Sequence, residues 1–531
     1  MKRLAIYCLL LIAHVSFADD MESVFEGKSE LHVKRTQSFL AETVRTLLDR
    51  PTPEQNLFLK HLEDGQWVAA LIQYGPAFNS TSFETTENGT ALKSLLFFKS
   101  GLPVMGLEEL FVVTDPKKIH MQLIKEWQEA AKEDHKAWFV ARLKWSQNWS
   151  EIFGRVIEVR VLAADLSLQR SPEDLNELAK KAPVDSKERA IIDWHLALAY
   201  AMKDQADKSA KIMAALMKAP NNPIPVDLMN LTAARLLYQN GYLDAAVKYF
   251  DKVPKGSDYY LMAQEEKSWA FVRRGEPQNA IAVTQTLVNS NLTGQVGPES
   301  WLVRGLSLLK VCDYPAVLET LQRFPGEFKS KAIYLEKIST QSEDEFVTKA
   351  LAVMFMASMT NKTVTAKELT AVSKMLPRNM IRDEKLRFLL AAEVLLKTEA
   401  DAAEKLYAQS LQQTGLQSYF DRIKNQTSQR MQMAGSSSLA RVKELAQLEL
   451  VEIRKVLNKM KIIEVEVIQQ VQVAERLKTN LKTEILNVKA GTTGSKADDA
   501  LRFPMSKEFW FDELTNYKVD IKKGCQARKA Q

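Results

Sequence analysis

The strongest constraint on the fold is a short motif that recurs along the middle of the chain. The stretch QNGYLDAAVKYFDKV, residues 239–253, has the pattern of two half-helices joined at Gly241. Gly275 lies 34 residues later and Cys312 a further 37 residues on, while Asp204 lies 37 residues before Gly241. Internal periods of this size are typical of helical repeat arrays. The repetition therefore predicts a series of stacked helix pairs.

The residues around each of these four corners also match. Slim side chains recur seven residues before and five residues after each corner: Ala197, Ala234, Ser268, Gly305, Ser209, Ala246, Ala280 and Val317. Larger apolar side chains recur four residues before and twelve residues after: Tyr200, Leu237, Phe271, Leu308, Leu216, Val253, Leu287 and Phe324. Two helices approach closely only where a side chain between them is small. Amphipathic helices alone would explain the apolar spacing, but not slim residues at the same two places in four successive units.

This pattern resembles the tetratricopeptide repeat (TPR), a helix-turn-helix unit of about 34 residues. The resemblance covers roughly 190–325, with Gly241 and Gly275 at the turn, and it departs from the family at Thr284 and Cys312. It implies an all-α fold, a TPR-like α-solenoid in which helix hairpins stack into one right-handed superhelix. Such an array presents an extended curved surface because each unit contacts only its neighbours.

Weaker copies of the unit extend the array toward both ends. Turns are expected at Gly65 and Gly101, 36 residues apart, and a shortened turn is expected within 388–411. Between them the register is lost, although SPEDLNELAKKA begins a helix with Ser171 as N-cap and Pro172 at the first helical position.

The first twenty residues, MKRLAIYCLLLIAHVSFADD, have the composition of a secretory signal. Two cations precede an apolar run from Leu4 to Ile12, and small residues at Ser16 and Ala18 suit cleavage after Ala18. The alternative is a membrane anchor, but the apolar run is about half of the roughly 20 residues that span a bilayer. We therefore expect an exported, periplasmic protein with no transmembrane segment in the mature chain.

Charge and cysteine content exclude few classes of protein. The formal net charge of +6 falls by two when Lys2 and Arg3 leave with the signal. This mild excess does not imply a nucleic-acid partner. Only Cys312 and Cys525 would remain, too few for a disulfide framework, and the sequence leaves open whether they pair.

A long amphipathic helix is predicted after the array. Residues 421–437, which end in AGSS, are expected to be a linker, and no Pro or Gly occurs between Leu439 and Val488. A 4-3 spacing of mostly apolar residues runs through 439, 443, 446, 450, 453, 457, 460, 464 and 467 and continues to 488. This is a coiled-coil seam on a helix of about 50 residues, roughly 75 Å long. The seam could serve an oligomer or partner coiled coil, or could pack along the chain's own array.

The C-terminal segment combines a linker, GTTGSKADD, with an aromatic tail. The tail resembles the C-terminal end of periplasmic TPR proteins from gliding and predatory bacteria. The matching residues are Phe503, Pro504, Glu508, Trp510, Asp512, Glu513, Leu514 and Tyr517. This resemblance implies a place in an envelope-spanning motility complex. The other interpretation is a short helix docked on the coiled coil or the array.

Together these patterns divide the chain into six segments. They are a signal peptide (1–18), an N-terminal helical region with degenerate repeats (19–185), the TPR-like solenoid (186–420), the linker (421–437), the coiled-coil helix (438–489) and the linker with the aromatic tail (490–531).

The sequence favours binding over catalysis. The six histidines are scattered, and the motifs HExxH, CxxC and GxSxG do not occur. We therefore expect no enzyme activity, no metal and no cofactor. The repeat register places cations beside aromatic residues on the concave face, formed by the first helix of each pair: Trp194, Arg235, Tyr238, Trp269, Arg273 and Lys310. These side chains suit an extended peptide with acidic groups.

The functional prediction is a non-enzymatic exported scaffold that binds other proteins of the cell envelope. Self-association through 438–489 is a further possibility. One alternative is a periplasmic subunit of a gliding-motility or other trans-envelope machine. Another, from a different class, is a cell-wall enzyme or the activator of one.

Overall fold

The chain is helical in almost all of the part that the structure describes. The computed structural model describes residues 39–133, 137–138, 145–163, 171–292, 294–341, 344–360, 362–411, 417–476, 487–490 and 517–520. The helices pack in tandem, each against its neighbours along the chain, which confirms the predicted all-α class at this level. The expected signal peptide and the aromatic tail up to residue 516 lie outside the described residues. Within the described ranges, no helix has both the length and the apolar character to cross a bilayer.

The chain forms two compact units. Among the described residues, the first contains those from 39 to 163 together with those from 395 to 432, and the second contains those from 171 to 394 together with those from 433 to 520. These limits differ from the predicted boundaries at 185 and 420, because two long helices near the C-terminus contribute to both units.

In its described residues, the first unit contains seven α-helices and parts of the two long ones. Its helices are α1 (39–48), α2 (Pro53–Glu63), α3 (Trp67–Phe78), α4 (Glu87–Lys99), α5 (Pro103–Leu110), α6 (Met121–Glu133) and α7 (Gln147–Ala163). The long helices are α19 (Glu384–Ser410) and α20 (Gln417–Arg476). Buried aromatic rings fill its core, as where Phe58 lies edge-on to Phe78 at 5.0 Å between ring centroids.

The second unit contains the predicted repeats. Its helices are α8 (Pro172–Lys181), α9 (Lys187–Met202), α10 (Ala206–Leu216), α11 (Val226–Gln239), α12 (Leu243–Asp251), α13 (Tyr260–Arg274), α14 (Pro277–Leu287), α15 (Glu299–Lys310), α16 (Tyr314–Thr340), α17 (Glu345–Met359) and α18 (Ala366–Val372). The remainder of α19 and α20 completes it.

The four predicted corners are turns with left-handed backbone. The φ angles are 56° at Asp204, 82° at Gly241, 77° at Gly275 and 60° at Cys312. A residue in this conformation ends a helix and lets the chain reverse within two or three residues. Each corner joins the two helices of one hairpin, from α9–α10 to α15–α16. The spacing of the four corners in the sequence thus coincides with four residues of left-handed backbone.

All eight of the slim repeat positions are buried. Ala197, Ala234, Ser268, Gly305, Ser209, Ala246, Ala280 and Val317 lie in the interior of the second unit. At one of these contacts the Ser209 hydroxyl donates to the carbonyl oxygen of Ala197 at 2.7 Å, which joins α10 to α9. Such closeness requires small side chains at the crossing of the two helices. The burial of these eight positions is consistent with the predicted reason for the pattern.

The weaker copies are confirmed only in part. Gly65 and Gly101 have φ angles of 67° and 87° and stand at turns, as expected. The Ser171 hydroxyl accepts from the Asp174 amide and Pro172 is the first residue of α8. The shortened turn predicted within 388–411 is wrong, because α19 runs through that range as one helix. That range contains no Gly or Pro to stop a helix.

The predicted linker at 421–437 is also wrong, because α20 is continuous from Gln417 to Arg476. Serine hydroxyls usually compete with the backbone hydrogen bonds of a helix, but here they donate to carbonyl oxygens one turn earlier in the same helix. The Ser437 hydroxyl donates to the Met433 carbonyl oxygen at 2.9 Å, for example. Gly435 allows close approach of α19, since a Cβ there would lie 3.3 Å from a Glu393 carboxylate oxygen.

The seam of α20 packs into the core of its own unit. Most of its buried residues follow a 4-3 spacing: Val442, Ala446, Glu449, Ile453, Val456, Met460, Ile463 and Val467. Five of the predicted seam positions are buried, at 446, 450, 453, 460 and 467. Toward the end of the helix the alternate positions are shifted by one residue, so that Glu464 is exposed and Ile463 is buried. Of the two alternatives for this seam, the structure has the intramolecular one.

Two short strands lie beyond α20. Residues Asn487–Ala490 (β1) pair antiparallel with Tyr517–Asp520 (β2), with Asn487 opposite Asp520 and Ala490 opposite Tyr517. The prediction that the helix continues to residue 489 is therefore wrong at residues 487–489, which belong to β1. This range includes Val488, the last predicted seam position. Cys312 is disulfide-bonded. The other two cysteines, Cys8 and Cys525, lie outside the described residues.

Candidate functional site

The six predicted concave-face residues lie on alternate helices, α9, α11, α13 and α15. Trp194 differs from the others because it is a core residue, with 4% of its surface exposed. It packs with Ala197 and Met213 of its own hairpin and with Met229 of α11. Its ring therefore contributes to packing between repeats, and little of it is open to a ligand.

Arg235 and Arg273 both bridge α11 and α13. Arg235 Nε donates to Glu266 Oε2 at 2.7 Å, so that α11 is joined to α13 by a charged pair. Arg273 Nη1 donates to the Tyr238 carbonyl oxygen at 2.7 Å. Its guanidinium also lies over the Tyr238 ring, 5.2 Å from the centroid. Cation–aromatic contacts at this distance are attractive.

Trp269 and Lys310 make the equivalent bridges between α13 and α15. Trp269 Nε1 donates to Glu299 Oε2 at 3.1 Å. Lys310 Nζ lies 3.4 Å from the Val272 carbonyl oxygen. Five of the six predicted residues thus make contacts between three successive first helices, α11, α13 and α15. Their polar groups already bond to neighbouring hairpins, a fact that the sequence pattern could not reveal.

A buried ionic cluster joins α20 to the repeats of the second unit. Arg378 Nη2 donates to both carboxylate oxygens of Glu452, at 2.6 and 2.8 Å, and Nη1 lies 3.4 Å from Glu265 Oε1. The Arg378 amide donates to Glu449 Oε2 at 2.8 Å. Lys331 Nζ lies 2.7 Å from the other oxygen of Glu449, and both of these side chains are at most 3% exposed. Burial raises the pKa of Glu452, and the charge of Arg378 opposes that rise.

The ionic cluster is structural in character. Its members come from α13, α16, α20 and the segment before α19, so each charge is balanced only when those elements are in register. Buried charges without such partners are strongly destabilising. Across the described ranges, no group of three or more His, Cys, Asp or Glu side chains has the arrangement of a metal site.

Comparisons with other proteins supply no family assignment. No protein-family model, no characterised protein and no solved structure matches this chain. The functional argument therefore depends on the chemistry of its surfaces.

The outward side of α20 carries a line of exposed apolar residues. We call this line the outer lane, and its members are Leu448, Val451, Ile462, Val465 and Ile468, which are 48–70% exposed. Leu448 and Ile462 are two heptads apart, and so are Val451 and Val465. The intervening heptad positions hold Lys455 and Asn458, both exposed. Leu448, Val451, Ile462 and Val465 face away from the buried seam, because they lie about a third to half a turn around the helix from Val442; Ile468 lies at the edge of the lane.

Isolated exposed apolar side chains are ordinary on protein surfaces, but a heptad-spaced line of them is not. The outer lane is about 30 Å long at 1.5 Å per residue, the length of a three-heptad coiled-coil contact. Lys and Asn at interior positions of such a contact fix its register and oligomeric state. The sequence prediction described only one apolar seam on this helix, and the residues of the outer lane are not part of that seam.

Proposed function

We propose that this chain is a non-enzymatic scaffold of TPR type, exported to the periplasm, which binds other proteins of the cell envelope. Hairpins that turn at four equivalent left-handed corners support the repeat assignment. The signal-like N-terminus supports export, and the tail resemblance supports an envelope complex such as a motility machine. The outer lane of α20 is the observation that carries the binding function.

The partner that fits the outer lane is a single amphipathic α-helix. Heptad-spaced Leu, Ile and Val side chains pack as knobs into the holes of a facing helix. The intervening Lys455 and Asn458 would require polar groups opposite them. Burying each exposed Ile or Val would contribute about 1.5–3 kcal/mol. The bridged face of α11, α13 and α15 would then act as a rigid support for the unit that displays α20.

The experiment is site-specific photo-crosslinking in cells that express the full chain, followed by mass spectrometry. A benzophenone amino acid at position 462, where the natural residue is 70% exposed, should capture a partner helix. The same amino acid at position 184, where Val184 is 78% exposed and off α20, is the matched control. Capture only at 462 supports the proposal, and equal capture at both positions contradicts it.

Affinity is tested with the double substitution Ile462→Glu and Val465→Glu, compared with Val184→Glu. We expect the double substitution to weaken partner binding by more than about tenfold, because two apolar contacts are replaced by charges. The control should bind as the wild type does. The partner helix could belong to another protein or to a second copy of this chain, and light scattering distinguishes these two cases. If the chain is a dimer and the double substitution disrupts it, the partner is a second copy.

A further inference from the structure

A cavity of about 220 Å³ lies in the second unit. Its floor is apolar and buried, formed by Met354 of α17 with Ile381 and Leu390. Lys362 and Arg387 line its exposed end. At roughly 30 Å³ for each water, the space equals about seven water molecules. It therefore suits a compact ligand that has an apolar body and one polar end.

Arg382 lines this cavity, and within the described part of the chain its hydrogen bonds go only to backbone carbonyl groups. Its Nη1 donates to the Asp258 carbonyl oxygen at 2.9 Å, and its Nη2 donates to the Arg378 carbonyl oxygen at 3.0 Å. Its Nε is buried and has no hydrogen-bond partner among the described residues. No described carboxylate forms an ion pair with it either, whereas Arg378 is paired with Glu452. Burial lowers the pKa of Arg382 to about 10.

Asp258 and Glu265 attract the Arg382 guanidinium, but without an ion pair its largely enclosed charge is only partly compensated, and this is unfavourable. An anion in the adjoining space would relieve that cost. Lys362 and Arg387 add two further positive charges to the lining, against the single carboxylate of Asp258. One oxygen of Asp258 already accepts from the Ala366 amide at 2.9 Å. The excess of positive charge over an apolar floor thus selects an anion with an apolar body.

We propose that this cavity is a binding site for a small organic carboxylate with a branched aliphatic body, of about eight non-hydrogen atoms. The carboxylate would accept charge-assisted hydrogen bonds from Arg382 and Arg387, and the aliphatic group would contact Met354, Ile381 and Leu390. Inorganic phosphate would satisfy the cations but leave the apolar floor empty. This site is separate from the outer lane, so it stands or falls independently of the scaffold function.

The test is isothermal titration calorimetry of the purified full chain with 4-methylpentanoate. We expect saturable binding with one site per chain, no measurable binding of the neutral 4-methylpentanamide, and at least fivefold weaker binding of inorganic phosphate. The loss with the amide follows because hydrogen bonds to a charged acceptor are the stronger ones. Equal binding of the acid and the amide, tighter binding of phosphate, or no binding of the acid would each overturn the proposal.

Variants locate the site. Arg387→Gln removes an exposed cation from the lining and should weaken 4-methylpentanoate binding at least fivefold. Lys367→Gln removes an exposed cation from α18 that does not line the cavity, and binding should be unchanged. Ala357→Leu fills part of the cavity from α17 and should abolish binding. Circular dichroism checks that each variant is folded, and wild-type affinity in both Arg387→Gln and Ala357→Leu would place the ligand elsewhere.

Discussion

The stability of the first unit should depend on pH through one buried carboxylate. Glu399 of α19 is fully buried, with 0% of its surface exposed. Its Oε1 accepts from the Met105 amide at 2.9 Å, but its Oε2 is buried with no hydrogen-bond partner among the described residues. Burial raises the pKa of Glu399 from 4.5 to about 7. Removing the charge by Glu399→Gln should therefore stabilise the folded protein at neutral and alkaline pH.

The size of the expected stabilisation follows from the shift in the pKa of Glu399. Because the folded state binds the proton more tightly than the unfolded state, the free energy of unfolding falls as pH rises from about 4.5 to 7. A shift of this size corresponds to about 3 kcal/mol, at 1.36 kcal/mol per pH unit. The Glu399→Gln variant keeps an acceptor for the Met105 amide and resembles the protonated acid. Its free energy of unfolding should exceed that of the wild type by about 1 kcal/mol at pH 5 and by about 3 kcal/mol at pH 8.

The assay is urea unfolding at pH 5 and pH 8, followed by tryptophan fluorescence, for which Trp127 and Trp138 are buried reporters in the first unit. Glu404→Gln is the control, because Glu404 lies on the same helix with a side chain that is 60% exposed. Its surface pair with Lys424 is worth at most about 1 kcal/mol at either pH. If Glu399→Gln gave the same advantage at both pH values, the reasoning from a buried, protonated carboxylate would be refuted.

Three further substitutions test the account of the second unit by urea unfolding. Gly275→Ala should destabilise by about 1–2 kcal/mol because φ is 77° there, although no atom lies within 4 Å of the added Cβ. Gly326→Ala should stabilise by up to about 1 kcal/mol, since that glycine lies in the interior of α16 with open space around it; a loss of stability would contradict this. Lys331→Met should cost about 3–5 kcal/mol by leaving Glu449 charged and buried, and adding Glu449→Gln should restore part of the loss. An additive double variant would argue against the ion pair.

Sequence reasoning identified the repeat unit because its causes are local. The corner at Gly241 needs a residue that tolerates left-handed backbone, and the packing of one hairpin needs slim residues such as Ala234 and Ala246 within it. Both requirements act within about 40 residues of chain. They therefore leave a period that can be counted. The same reasoning placed the five bridging side chains on one face, but it could not assign their hydrogen-bond partners on the next repeat.

Contacts between residues far apart in sequence decided which face of α20 is buried and which charged side chains are paired. Both faces of α20 carry apolar residues at heptad spacing, so the pattern alone could not tell the buried Ile463 from the exposed Ile462. The buried seam packs with distant helices, and Lys331, which comes 118 positions before Glu449, pairs with it in the core. The partly compensated charge at Arg382 likewise arises only when α17 and the segment around 258 lie beside it. The sequence by itself thus determined the hairpins, through backbone sterics and local packing. Tertiary structure alone decided which charges are paired and which apolar face stays open, because those depend on neighbours that the local pattern does not encode.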